Sequence, residues 1–277
     1  MKILIMDRDK LASQMIRSKL EPEGYEIIEE PLKNDAIERL KTENFDAIFV
    51  DPAPMAQAQP VVLEVRRNAK TYPYILLMSQ TAAAEEAFRI GCNDILQKPT
   101  SGADIREKAH NASRMTKLVN WLGNEKEDFP SAGGVISKSA FNQLFRSAID
   151  RAGRYGELSY VVVITLENYD DIKLDFGAYA SDYAVSKMAY HLVLMRRQSD
   201  IIGQTGKNQY ALLLQRPLSD QEPVEAAARF AAGLGELDDI APPKCDAVNI
   251  SVQLIHLPTG LLTAQHTLTK RDTSSGN

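Results

Sequence analysis

Four side chains in the first third of the chain have the types and spacing to share one site. Asp51, Ser79 and Lys98 follow the short apolar runs Ala47–Val50, Tyr74–Met78 and Asp94–Gln97, and Asp7 follows Lys2–Met6. Runs of this kind read as buried strands, and open α/β sheets bind ligands beyond the carboxyl ends of their strands. A second pair lies in Arg197-Gln-Ser-Asp200. A guanidinium can fork onto a phosphate or another pair of acceptors, and a carboxylate can accept from N–H donors. A spacing of three at a helix end lets both meet one ligand. The plainer alternatives are a structural Asp51–Lys98 ion pair and a solvated Arg197–Asp200 pair of little consequence.

The elements that must hold these groups follow from the pattern. Helical spacing marks Leu11–Leu20, Asn34–Thr42, Ala82–Ile90 (closed by Gly91) and Gly102–Lys117, with a weak strand at Tyr25–Glu29. Five strands alternating with helices predict an α/β domain with a doubly wound, flavodoxin-like parallel sheet over residues 1–118. Residues 119–134 contain Gly123, Pro130, Gly133 and Gly134 among charges and read as a linker. From 135 to 277 the pattern changes: helix Ser139–Tyr155, strand Ser159–Leu166 and helix Ala178–Arg197 come first. A hairpin Asp200–Gly206/Gln209–Leu214, helix Pro223–Leu234 and strand Ala247–Leu257 follow. That order predicts an α+β domain with a mainly antiparallel sheet. Leu262–Lys270 is short, polar and Thr-rich, and the tail Thr267–Asn277 is expected to fray.

Bulk properties narrow the function. The 277 residues suit two domains, and 44% hydrophobic with 25% charged residues is the balance of a chain with a real core. A net charge of −5 argues against a nucleic-acid-gripping protein. The apolar start is too short for a signal peptide or a membrane span, so no membrane insertion and a cytoplasmic location are expected. Cys92 and Cys245 read as reduced packing thiols. Tyr179, Tyr183 and Tyr190 at helical spacing suggest packing, and Glu167, Asp170, Asp171 and Asp175 a solvated acidic face.

The first part resembles the response-regulator receiver family. The match is carried by Ile-Leu-Ile-Met-Asp7, Phe-Asp-Ala-Ile-Phe-Val-Asp51, Leu-Leu-Met-Ser79 and Gly91-Cys-Asn-Asp-Ile-Leu-Gln-Lys98-Pro99. The resemblance implies that Asp51 is the phosphoacceptor position, that Lys98 pairs with the phosphoryl group and that Ser79 hydrogen-bonds it. It also implies an acidic pair after the first strand that holds Mg²⁺, because a carboxylate attacking a phosphoryl group needs its charge repulsion neutralised. Here the pair reads Asp7-Arg8, with Asp9 one residue late. A guanidinium cannot ligate Mg²⁺, so Mg²⁺ is doubtful at this site and Arg8 is expected to pair with Asp51 instead. The family's switch aromatic is Ile95 here. A docking or dimerising receiver is therefore expected.

The second part resembles the GGDEF, or diguanylate cyclase, family, through Gly133-Gly-Val-Ile-Ser-Lys-Ser-Ala-Phe141, Arg151-Ala-Gly-Arg-Tyr-Gly156 and the strand Tyr160–Leu166. The resemblance places the signature at Gly206, Lys207, Asn208, Gln209 and Tyr210, without the second glycine and the two acids that hold metal. It places Thr165 at the other metal carboxylate, Lys173 at the guanine-reading asparagine and Asp182 at its acidic partner. The family's closing helix is poorly matched or missing at Leu262–Lys270. Phosphoryl transfer is mostly positioning and metal-borne charge stabilisation, so a degenerate domain without cyclase chemistry is expected. Arg197 and Asp200 match the family's RxxD inhibitory site, which implies cyclic di-GMP as ligand, with Arg196 as a nearby cation. The expected function is a non-enzymatic response regulator that needs no cofactor, senses cyclic di-GMP and docks other signalling proteins, with homodimerisation among its options. The alternative is a nucleotide-independent scaffold regulated through the receiver by phosphorylation of Asp51.

Overall fold

The computed structural model describes residues 1–124, 126–129, 133–237, 239–242, 245 and 247–270. The chain forms two compact units. One comprises Met1–Trp121 with Ile149–Glu157 and Leu257–Leu261; the other takes in Leu122–Ala148, Leu158–His256 and the residues from Leu262 onward.

The first unit is a parallel sheet of order β2-β1-β3-β4-β5, built from β1 (Lys2–Met6), β2 (Glu26–Glu29), β3 (Ala47–Val50), β4 (Tyr74–Ser79) and β5 (Asp94–Gln97). The strands β3 and β4 are buried at every position, as a parallel sheet covered on both faces requires. The helices are α1 (Lys10–Leu20), α2 (Lys33–Thr42), α3 (Ala58–Asn68), α4 (Ala84–Arg89) and α5 (Gly102–Leu122). Asp9 begins α1 as its N-cap, its carboxylate accepting from the Leu11 and Ala12 N–H groups. The α3 segment carries no strong start signal. Val61, Val62 and Val65 give it a buried face nonetheless. The α5 helix runs into the stretch read as a linker, because Leu118, Val119 and Leu122 stay buried on its inner face. Pro130 of that stretch lies outside the described residues.

The second unit has a sheet of order β10-β9-β6-β8-β7: β6 (Ser159–Leu166), β7 (Ile201–Gly206), β8 (Gln209–Gln215), β9 (Val248–Leu257) and β10 (Leu262–Lys270). The pairs β6/β8, β7/β8 and β9/β10 are antiparallel. The helices are α6 (Lys138–Tyr155), of which only residues 138–148 belong to this unit, α7 (Tyr169–Phe176), α8 (Ala178–Met195) and α9 (Gln221–Glu236). Met188 and Leu192 of α8 and Phe230 and Leu234 of α9 join Val162, Ile164, Leu212 and Val252 in one core. At Gly203 on β7 a Cβ would stand 2.7 Å from Phe141, so only glycine admits that ring.

Two expectations fail. The tail expected to fray from Thr267 is a strand as far as Lys270, because alternation along Leu262–Lys270 puts Ala264 and Leu268 against the core while the threonines face out; residues 271–277 of that tail lie outside the described residues. Tyr179 and Tyr190 are 84% and 59% exposed, so the tyrosine row of α8 is an outer face rather than a packed one. Its small and aliphatic neighbours Ala184, Met188 and Leu192 turn inward instead.

Candidate functional site

In the first unit Lys98 lies between two carboxylates. Its ammonium donates to Asp7 Oδ2 at 2.7 Å and to Asp51 Oδ2, and the three side chains are only 9%, 3% and 18% exposed. Asp7 also accepts from the Asp9 N–H at 2.9 Å, and Asp51 from the Ala53 N–H at 2.9 Å. Burial pulls the Lys98 ammonium down, but Asp51 and Asp7 together hold it above the usual lysine value. Ser79 is 5% exposed, and its hydroxyl accepts from the Thr81 and Ala82 N–H groups, forming the turn that leads to α4. Ile95 is buried in the sheet core.

The expected Arg8–Asp51 pair is not formed. Arg8 is exposed at the rim of this cavity, and Lys98 takes the position beside Asp51. The physical reason is local. Asp7 turns inward at the end of β1 and Asp9 turns back to cap α1, so the residue between them faces solvent. Two carboxylates that share one ammonium, with a guanidinium at the second acidic position, make a donor set that does not fit Mg²⁺.

In the second unit Lys207 and Asn208 form the turn of the β7–β8 hairpin, with Gly206 paired to Gln209. Gln209 Nε2 donates to Thr165 Oγ1 at 2.7 Å, and Asn208 Nδ2 donates to the Leu166 carbonyl at 2.8 Å. Three positions where the resemblance calls for carboxylates therefore hold neutral side chains bonded to each other or to backbone. Tyr210 is 4% exposed in the core, and burial pushes its hydroxyl up to about 12. Asp182 Oδ1 accepts from the Tyr169 hydroxyl at 2.9 Å, and Lys173 is exposed on α7. Glu167 accepts from the Ser251 hydroxyl on β9. Among the described residues no group of three or more His, Cys, Asp or Glu side chains is arranged to hold a metal ion.

The Arg197–Asp200 pair lies in a turn rather than on a helix, since α8 ends at Met195 and Arg196 is already extended. Asp200 causes the stop: its Oδ2 accepts from the Arg197 N–H at 2.9 Å, a local bond that competes with helix continuation. Arg196 NH1 approaches the Asp200 carbonyl at 3.5 Å. Asp200 is 7% exposed and opens into a cavity whose lining includes Arg197, Leu214, Glu222, Ala226 and Arg229. Two of these residues were not foreseen. The Arg229 guanidinium is 3.8 Å from Asp200 Oδ2, and its Nε and NH2 atoms are shielded without a hydrogen-bond partner. Glu222 pairs with Arg197 NH1 at 2.6 Å; the Leu218 N–H and Arg197 hold its carboxyl below the usual range. The only advance signal was the i, i+3, i+6 placement of Pro223, Ala226 and Arg229 on one face of α9.

Comparison with known proteins follows the same division. The family model for the response regulator receiver domain matches residues 3–110, and that for the diguanylate cyclase, GGDEF domain, matches residues 131–269. The alkaline phosphatase synthesis transcriptional regulatory protein PhoP of Bacillus subtilis is 22% identical over 130 residues, covering 46% of this chain and 54% of PhoP. The transcriptional regulatory protein CrdR of Helicobacter pylori is 26% identical over 102 residues, covering 35% of this chain and 48% of CrdR. The chain thus spans about half the length of the curated relatives it matches. A two-component response regulator structure from Clostridium difficile is 25% identical with a TM-score of 0.37, covering 41% of this chain and 95% of that one. The GGDEF domain of PA1120 from Pseudomonas aeruginosa is 18% identical with a TM-score of 0.38, covering 43% and 74%. No helix among the described residues is long and apolar enough to cross a membrane.

Proposed function

Because the chain belongs to the GGDEF family and carries a receiver domain ahead of that domain, which makes it a two-component response regulator, we propose that its GGDEF domain is a receptor for cyclic di-GMP and not a cyclase. The observation that carries this reading is one cavity lined by Arg197, Asp200 and Arg229, in which the Arg229 guanidinium lies 3.8 Å from the Asp200 carboxylate and Arg197 is held beside it by Glu222. A guanine base needs an acceptor for N1–H and N2–H2 and donors for O6 and N7, and a cyclic dinucleotide also needs cations for its phosphates. At Thr165 and Gln209 two neutral side chains bond to one another and offer no carboxylate to a metal.

Calorimetric titration of the full chain with cyclic di-GMP should give a saturable heat. Arg197→Ala should weaken binding at least ~10-fold, the scale of one charge-assisted pair. Glu222→Gln should tighten it severalfold, because Arg197 no longer has to leave an anion. No heat at high micromolar protein in both the native chain and Glu222→Gln would sink the reading.

The receiver, in the same proposal, works by docking other proteins and not by phosphotransfer. The buried Asp7–Lys98–Asp51 triad already satisfies the carboxylate that would be modified. Acetyl phosphate with Mg²⁺ should therefore leave the intact mass of the chain unchanged. Stoichiometric addition of a phosphoryl group, lost in Asp51→Asn, would instead favour the phosphorylation-regulated scaffold.

A further inference from the structure

The turn between α7 and α8 exposes more apolar surface than a solvated acidic face needs. Leu174 is 85% exposed, Tyr179 84% and Phe176 39%. All three lie close to Gly177, whose φ of 88° turns the chain from one helix into the next. Leu174 and Tyr179 are separated by less than ~18 Å of chain, the length of about twelve helical residues. A single exposed leucine is ordinary, but an aliphatic and two aromatic side chains gathered at one turn mark a contact surface.

The charges around the turn select what covers it. Asp170, Asp171 and Asp175 are exposed on α7, where Lys173 is the one cation. Asp170 and Asp171 stand in the first turn, and the helix dipole accounts for them. Asp175 stands in the last turn, where the dipole disfavours a carboxylate, and it is flanked by Leu174 and Phe176. Asp171 shares a face with Leu174 at i, i+3 and with Asp175 at i, i+4. We propose that the α7–α8 turn is a docking surface for a basic amphipathic segment of another protein. The apolar side of that segment covers Leu174, Phe176 and Tyr179, and its lysines or arginines meet the three carboxylates. The same carboxylates repel nucleic acid and anionic lipid, and they oppose a second copy docking through the same face. An exposed tyrosine is the kind of anchor that carries binding energy at an interface. The surface uses neither Arg197 nor Asp200, so it stands whether or not that pair takes a nucleotide.

Fluorescence anisotropy of a labelled helical peptide of lysine and leucine, about twelve residues long, titrated with the full chain tests this. Binding should saturate at micromolar chain. Leu174→Ser with Tyr179→Ser should weaken it at least ~10-fold. Asp171→Asn with Asp175→Asn should do the same and flatten its salt dependence. All four side chains are exposed, so the fold tolerates both changes, and an unchanged circular dichroism spectrum checks that. A peptide with serine in place of leucine, or glutamate in place of lysine, should not bind. No saturation by ~100 μM chain, or an affinity that either pair of substitutions leaves unmoved, overturns the proposal. So does a peptide-free chain that self-associates through Leu174 and Tyr179, since a second copy is then the occupant.

Discussion

Purified chain incubated with GTP and Mg²⁺ should form no cyclic di-GMP above background. The argument is one of charge. Joining two nucleotides needs a deprotonated hydroxyl to approach a phosphoryl group, and metal ions held by carboxylates make that approach affordable. On the proposed reading Thr165, Asn208 and Gln209 stand where those carboxylates are called for, and Gln209 and Thr165 bond to one another. A single well-placed cation in related phosphoryl transfers is worth about 10³–10⁵ in rate. A site that lacks the ligands for its metals should fall at least that far below a competent cyclase. Chromatography of the nucleotide products measures it directly. Turnover that survives Asn208→Ala with Gln209→Ala would show that the chemistry lies elsewhere and would overturn the receptor reading.

The second large effect concerns stability. Lys98→Met should destabilise the first unit by about 3 kcal/mol, since removing one partner of a buried ion pair leaves the others uncompensated. Two carboxylates, 3% and 18% exposed, would face each other without their shared cation. The single tryptophan, Trp121, belongs to the first unit, so its fluorescence reports the loss. At a typical urea slope of ~2 kcal/mol/M the midpoint should fall by ~1.5 M. The pH dependence has a definite sign. Lys98 has its folded value raised above the model-compound 10.5, so its contribution is complete below about pH 10.5 and is lost as pH rises through the higher folded value. The native midpoint should drop in that alkaline window, and the Lys98→Met midpoint should drop less. Equal midpoints for the two chains at pH 7 would show that the triad is incidental.

The strand ends of the first unit were legible because buried parallel strands leave an unmistakable apolar run followed by a polar residue: Asp7, Asp51, Ser79 and Lys98 all stand where that pattern put them. The hairpin was legible for a similar reason, with Gly206 and Gln209 paired around a two-residue turn. What the sequence concealed was long-range. Arg229 lies 32 positions beyond Arg197 and reaches Asp200 only through the packing of α9 beside the turn. The β10 strand was hidden because threonine-rich alternation with few aliphatic residues looks like a polar tail until β9 supplies its partner. Arg8 was assigned to Asp51 on charge alone, and backbone geometry decided otherwise.

The cap on α1 ties one side chain to a single task. Asp9 follows Arg8 directly, yet its carboxylate is committed to the Leu11 and Ala12 amides and its own N–H to Asp7. Drawing that carboxylate toward any other partner would cost the helix its start.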